Sequence, residues 1–334
     1  MSVELKENPE IEAGIAGARV VVTGGLGFIG SNLARRLVEL GAEVLLVDSL
    51  IPEYGGNRAN IAGIEDAVTV NVSDVRDAHS LPALIRGQDV LFNLAGQTSH
   101  VDSLHDPYTD LDINCRAQLS ILEACRRENP GVKVVFASTR QLYGRPAYLP
   151  VDELHPLAPV DPNGVNKAAG EGYHLVYGAV YGLRTCVLRL TNTYGPRMRV
   201  KDDRQTFLGT WLRLAVEGDE LLVFGDGTQK RDFTYVDDAV EAFLLAGARD
   251  EADGEVFNLG GAEPPVSLLE LAELLGASYR LVPFPDERKS IDIGDYYADD
   301  RKIRDLLGWE PRVGLREGLA RSLEYYREHR EAYW

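Results

Sequence analysis

The chain has 334 residues, 45% apolar and 26% charged, with 52 acidic against 35 basic side chains and a formal charge of −17. That composition describes a globular protein with room for two lobes, and the acidic balance excludes nucleic acid and membrane surfaces as expected partners. Its three cysteines, Cys115, Cys125 and Cys186, cannot all pair and lack metal-ligand spacing, so neither a disulfide framework nor a metal centre is expected.

The leading segment, 1–16, is acidic and lacks the basic-then-apolar order of a signal sequence. No apolar run reaches the roughly 18 residues of a membrane span, which makes the cytoplasm the expected location. The first predicted strand, Val20-Val21-Val22-Thr23, enters the turn Gly24-Gly25-Leu26-Gly27-Phe28-Ile29-Gly30, and a helix follows over 31–40. Gly24 suits a tight turn, Gly27 lets the main chain approach a pyrophosphate, and Gly30 lets helix and strand pack closely. With Phe28 and Ile29 in its opening turn, the helix aims unpaired N–H groups at phosphates. Asp48 closes the next apolar run roughly 20 residues on, where a carboxylate accepts from adenosine ribose hydroxyls and repels a 2′-phosphate. NAD is therefore the expected cofactor, in preference to NADP.

Strands over 67–70, 90–94, 132–137 and 184–190 then alternate with helices over 107–127 and 163–181. Alternation of this kind predicts an α/β fold class with a doubly wound parallel sheet. Ile113, Ala117, Ile121 and Ala124 give the 107–127 helix an apolar face, and the two long helices together offer a homodimer interface. Beyond 190 the pattern loosens: Gly195-Pro196-Arg197 breaks the chain, 206–216 reads as a helix and Gly225-Asp226-Gly227 as a turn. The helix over 236–246 and the run Val256-Phe257-Asn258 return to the main lobe. The expected division is a cofactor domain over 1–190 plus about 233–259, and a smaller C-terminal substrate-binding lobe over 191–232 and 260–334. The tail, 315–334, reads as an amphipathic helix docked on the body through Tyr325, Tyr326, Tyr333 and Trp334.

Eight segments carry a family resemblance across about 18–309. They are the glycine turn, Ser73-Asp74-Val75, Asn93-Leu94-Ala95-Gly96, Ser99-His100-Val101-Asp102-Ser103, Ser138-Thr139-Arg140-Gln141-Leu142-Tyr143-Gly144, Arg189-Leu190-Thr191-Asn192-Thr193-Tyr194-Gly195-Pro196, Arg231-Asp232-Phe233-Thr234-Tyr235-Val236-Asp237-Asp238 and Leu307-Gly308-Trp309-Glu310-Pro311. Together they resemble the extended short-chain dehydrogenase/reductase family of nucleotide-sugar epimerases, dehydratases and decarboxylases. The resemblance implies a Rossmann fold, bound NAD and a nucleoside-diphosphate sugar as substrate. It places Asp74 and Val75 against adenine, Leu94, Ala95, Gln97 and Asn114 beside the cofactor, and Lys167 on the nicotinamide ribose. Thr139 is implied to bond the reacting hydroxyl, with Ser99, Asn192, Arg231 and Arg288 on the substrate side.

Some of these residues have a physical reading of their own. Arg231 offers a planar fork suited to a diphosphate, against the alternative of a salt bridge to Asp226 or Asp232. Asn192 follows a parallel strand, where ligands collect, against the alternative of loop capping. His100 is a lone loop histidine, more often a structural donor, and receives no catalytic role.

The family's acid–base group is a tyrosine four residues before the lysine, but Asn163 stands there in this sequence. An amide cannot accept a proton from a hydroxyl, though it can orient one. Three readings stay open: another phenol acts, with Tyr143 and Tyr148 nearest; Thr139 and a water held by Asn163 relay the proton towards Lys167; or oxidation is lost and a binding protein remains. Arg140 and Gln141 occupy positions where the 4,6-dehydratases carry an aspartate and a glutamate, and the decarboxylases a glutamate at the second. Neither side chain is a carboxyl acid or base, so elimination is disfavoured. Arg140 also suits an anionic sugar such as a uronic acid, against an ion pair to Asp152 or Glu153. The expected activity is NAD-dependent epimerisation of a nucleoside-diphosphate sugar at C4 through a 4-keto intermediate. The alternatives are a dehydratase or decarboxylase, and a non-catalytic module binding NAD and a nucleotide sugar.

Overall fold

Val20, Val21 and Val22 are all buried in strand β1 (Arg19–Thr23), a continuous apolar run that only a sheet covered on both faces accommodates. A computed structural model describes residues 8–334; the first seven residues of the leading acidic segment lie outside the described residues. β1 pairs in parallel with β2 (Glu43–Asp48) and β4 (Val90–Asn93). The sheet extends through β3 (Val68–Val72) on one side and through β5 (Lys133–Thr139), β6 (Arg184–Leu190) and the strand Val256–Asn258 on the other. Seven strands in the order 3-2-1-4-5-6 and then Val256–Asn258 form a doubly wound Rossmann sheet whose order reverses between β1 and β4.

The helix Phe28–Glu39 buries Leu33 and Leu37 against this sheet, each contributing about 1.5–3 kcal/mol of apolar transfer. The helix Val236–Ala248 is apolar almost all round and is buried along its length, packed by Pro9–Ile15 and Phe28–Glu39. The predicted 107–127 helix is three pieces: Pro107–Leu111, a π turn over Asp112–Arg116, and Ala117–Glu128. In the turn, Gln118 Nε2 bonds the carbonyl of Ile113 at 3.0 Å and Asn114 is drawn inward, a local widening characteristic of functional sites.

The second lobe is built from small pairings. Asn192–Tyr194 pairs in parallel with Phe233–Tyr235, Leu221–Phe224 with Tyr279–Val282, and Lys230–Arg231 runs antiparallel to Val266–Ser267. The predicted tail helix divides into Leu315–Glu328 and Arg330–Tyr333. Of its aromatics, Tyr326 and Tyr333 are core, Tyr325 is half-buried and Trp334 is exposed; the Tyr326 hydroxyl lies 3.0 Å from the carbonyls of Gly195 and Met198. The Tyr333 hydroxyl donates to Asn60 Oδ1 at 2.6 Å, and Asn60 Nδ2 donates to the carbonyl of Leu26 at 2.8 Å. Among the described residues no helix is long and apolar enough to cross a membrane.

Candidate active site

A cleft of about 860 Å³ opens at the carboxyl ends of β1, β2, β4, β5 and β6, the crevice where doubly wound sheets bind ligands. Its first wall is the glycine turn. Gly24 has a φ of +67° and donates to the carbonyl of Val47 at 2.8 Å, a conformation that side chains disfavour. A Cβ on Gly30 would lie 2.2 Å from the carbonyl oxygen of Gly24, so only glycine allows this helix–turn contact. Gly27 caps the helix without a side-chain bond, leaving the first-turn N–H groups at Phe28, Ile29 and Gly30 for an anionic ligand. Asp48 lines the same wall, with its two oxygens accepting from the amides of Leu26 (3.0 Å) and Leu50 (2.8 Å). Burial raises its pKa against those two bonds. This cradle fits a dinucleotide: glycines where a Cβ would clash, free amides for the pyrophosphate, and an acid for the ribose.

Asp74 and Val75 continue the wall, with Asp74 in a 2.6 Å ion pair to Arg76. Leu94 and Ala95 line it too, their amides donating to Thr23 Oγ1 at 3.1 and 3.2 Å. Gln97 also faces the cleft. Asn114 does not: it stands behind Gly96, donating Nδ2 to the carbonyl of Gln97 at 2.9 Å, with Oδ1 buried and unpartnered. The π turn places it one layer back, so its expected contact with the cofactor is corrected to a support of the loop over 96–97.

The second wall begins where β5 ends. Thr139 caps the short 3₁₀ turn Arg140–Tyr143, its Oγ1 accepting from the amide of Gln141 at 3.2 Å, and Thr139, Arg140 and Gln141 all line the cleft. Tyr143 does not, and its expected role as a base is corrected. One turn carries its ring to the far side, where it is fully buried against Tyr296. Its hydroxyl donates to Asn258 Oδ1 at 2.7 Å and accepts from Arg189 Nη1 at 2.6 Å. Burial pushes its pKa up to about 12. Arg189 is also bonded to Glu171, and Glu171 accepts from Ser138 Oγ at 2.7 Å, so this network braces the segment bearing Thr139 from behind. Tyr148, the other phenol considered, is bonded to Asp152 at 2.7 Å and does not line the cleft.

Asn163 and Lys167 lie one turn apart on the helix Pro162–Tyr181, and both line the cleft. The Asn163 amide nitrogen donates inward, to the carbonyl of Gln97 and to Asp110 Oδ2, both at 2.9 Å. Lys167 Nζ donates to the carbonyl of Ala137 at 3.2 Å and sits 5.0 Å from the centre of the Phe136 ring. Burial, opposed by Asp110, lowers its pKa to about 8.

Ser99 lines the cleft and caps the helix His100–His105. Asn192 Oδ1 accepts from Arg140 Nη2 at 3.0 Å while Asn192 Nδ2 donates to the carbonyl of Asp232 at 2.9 Å. Arg140 pairs with neither Asp152 nor Glu153; it lies 5.2 Å over the Tyr296 ring with Nη1 buried and unpartnered. Burial lowers its pKa. Arg231 likewise bonds neither Asp226 nor Asp232; it is held by the carbonyls of Lys230 and Gly294 and lies 3.5 Å from Asp292. Burial and the nearby Arg140 charge bring its pKa down to about 10. Arg288 also lines the cleft and pairs with Asp203 at 2.5 Å. Two desolvated guanidiniums facing one cleft favour an anionic ligand there.

Sequence reasoning passed over one pair. His100 Nδ1 lies 3.0 Å from Oδ2 of the buried Asp161, and His100 lines the cleft. Asp161 before Pro162 is legible as a helix start, but nothing in the sequence signals its meeting with His100.

Residues 20–260 match the NAD dependent epimerase/dehydratase family model. The chain is 34% identical to a putative UDP-glucose 4-epimerase of Methanocaldococcus jannaschii, over 93% of this chain and 99% of that one. It is 32% identical to a dTDP-glucose 4,6-dehydratase of Streptomyces niveus, over 95% and 94%. A solved UDP-glucose 4-epimerase of Thermotoga maritima, in complex with UDP-glucose, superposes with a TM-score of 0.84 at 32% identity, over 93% of this chain and 99% of that one. With the nucleotide cradle, the paired arginines and the threonine–lysine wall in one cleft, the chain belongs to the NAD-dependent epimerase/dehydratase family, and NAD is its cofactor.

Proposed function

We propose that the protein is an NAD-dependent epimerase of a nucleoside-diphosphate sugar, inverting C4 through a 4-keto intermediate. The observation that carries this reading is the cleft wall after β5. Thr139 and Lys167 both line the cleft, which supports alcohol oxidation, while Arg140 and Gln141 stand where the resemblance expects the elimination acids. NAD, when bound, takes and returns one hydride. The protein's own residues do the rest: Thr139 donates to the sugar oxygen, Lys167 supplies positive charge beside the ribose, and Arg231 with Asn192 holds the diphosphate end. The unpartnered Nη1 of Arg140 favours a substrate carrying an anionic group on the sugar, such as a uronic acid. The cofactor is held by 1–190 with about 233–259, and the sugar nucleotide by 191–232 and 260–334.

We propose a cytoplasmic homodimer. Val165, Val176, Val180 and Tyr181 are exposed on the helix Pro162–Tyr181, an apolar stripe suited to a second copy of the same helix. The free thiols fit a reducing compartment.

The test uses purified protein with its bound NAD, incubated with UDP-, dTDP-, GDP- and CDP-sugars, UDP-glucuronate included, with product analysis by NMR. A C4 stereoisomer is expected. A 4-keto-6-deoxy product or released carbon dioxide would replace epimerisation by dehydration or decarboxylation. Tight binding of several sugars with no reduction of NAD would leave a non-catalytic binding module.

A further inference from the structure

Oxidising a sugar alcohol requires a group that takes the hydroxyl proton as hydride leaves carbon. Asn163 cannot, and Tyr143 lies outside the cleft. Of the carboxylates lining the cleft, Asp74, Asp102, Asp202, Asp203 and Asp292 each face an arginine, and Asp48 is bonded to two amides at the nucleotide turn. His100 is the one histidine lining the cleft among the described residues.

Its setting is specific. Asp161 is the cap of the helix that carries Asn163 and Lys167, its Oδ1 accepting from the amide of Gly164 at 2.7 Å. Asp161 Oδ2 accepts from Gln141 Nε2 at 2.9 Å and lies 3.0 Å from His100 Nδ1. One buried carboxylate thus ties the imidazole to the segment bearing Thr139 and to the start of the helix where a tyrosine is missing. The ring nitrogen is at hydrogen-bond distance but off the donor line, and catalytic pairs commonly tighten only when substrate binds. Nδ1 is buried towards Asp161, and among the described residues Nε2 makes no hydrogen bond.

Resting on the epimerase reading above, we propose that His100 is the acid–base catalytic residue and Asp161 its positioning residue. His100 Nε2 takes the C4 hydroxyl proton. With NAD bound, the O–H bonding pair would become the second bond of the C4 carbonyl, and NAD would supply the acceptor for the C4–H pair as hydride. The imidazolium is stabilised by the Asp161 carboxylate. After the keto sugar has turned over, hydride returns to the opposite face and the imidazolium gives its proton back to the oxygen. Atoms and electrons are conserved over the cycle.

The experiment compares wild type with His100→Ala, Asp161→Asn and Tyr54→Phe, Tyr54 being the tyrosine that lines the cleft. Bound NAD and thermal unfolding establish that each variant is folded. His100→Ala is expected to lower kcat by about 10²–10⁴-fold, with partial recovery on adding free imidazole. Asp161→Asn keeps the helix cap and is expected to lower kcat roughly tenfold with KM unchanged. The ring ¹⁵N resonances of His100 are expected to report Nδ1–H and to shift at Nε2 when the turned-over UDP-sugar is added. Wild-type turnover with His100→Ala equally active, with unmoved His100 resonances, or with the loss falling on Tyr54→Phe overturns the assignment and leaves the epimerase reading standing. A wild type that turns over no sugar of the panel overturns both.

Discussion

Replacing Tyr143 by phenylalanine separates a structural phenol from a catalytic one. The substitution removes the hydroxyl shared between Asn258 Oδ1 at 2.7 Å and Arg189 Nη1 at 2.6 Å and leaves the ring packed on Tyr296. A bond to a charged partner contributes about 1.5–3 kcal/mol and a neutral one about 0.5–1.5, so a loss of about 3 kcal/mol is expected. With an unfolding entropy of about 2.1 cal/mol/K per residue over 334 residues, that loss lowers Tm by about 4 °C. The assay pairs thermal unfolding with steady-state turnover on whichever sugar nucleotide the enzyme accepts. Turnover is expected to stay within a few-fold of wild type. An unchanged Tm together with a hundredfold loss of kcat would show the phenol acting on substrate and refute the reasoning from its burial.

Three further outcomes follow from the same geometry. Gly30→Ala places a Cβ 2.2 Å from the carbonyl of Gly24, and purified variant protein is expected to lack bound NAD by absorbance; full occupancy would mean the turn relaxes freely. Lys167 has a folded pKa lowered to about 8 from 10.5, so between those pH values the unfolded chain binds more protons. Stability contributed by this site therefore rises as pH goes from about 8 to about 10.5, while activity that needs its charge falls as pH passes about 8. Tm and rate profiles of wild type against Lys167→Met test that opposition, and profiles that run parallel would contradict it. The proposed homodimer is expected to sediment as a dimer in wild type and as a monomer in Val176→Glu with Val180→Glu; an unchanged dimer would place the interface elsewhere, and a monomeric wild type would overturn the dimer.

The cofactor half was legible because its determinants are local. A strand, three glycines and an acid within one βα unit dictate the turn whatever the rest of the chain does. The parallel sheet was legible for a similar reason, since runs buried on both faces need helices between them. Side-chain direction after β5 was not. Tyr143 follows Thr139 closely in sequence, but a single 3₁₀ turn sends Arg140 and Gln141 to the cleft and Tyr143 behind it. Partners of the cleft arginines were illegible because topology, rather than proximity along the chain, supplies them. Arg140 meets Asn192 across β6, and Arg231 meets Gly294 and Asp292 from a loop beyond the small sheets. The meeting of His100 with Asp161 belongs to the same class.

The hydrogen bond from Tyr333 to Asn60 spans 273 positions of sequence, and through Asn60 it reaches the Leu26 carbonyl inside the nucleotide turn. These two bonds tie the terminal helices to the turn, and the two are therefore expected to open together. A ligand present at a hundred times its Kd deepens the native well by about 2.7 kcal/mol, and every amide released only by that opening inherits the protection. Cofactor occupancy should therefore slow hydrogen exchange in Leu315–Glu328, a helix that lines no part of the cleft.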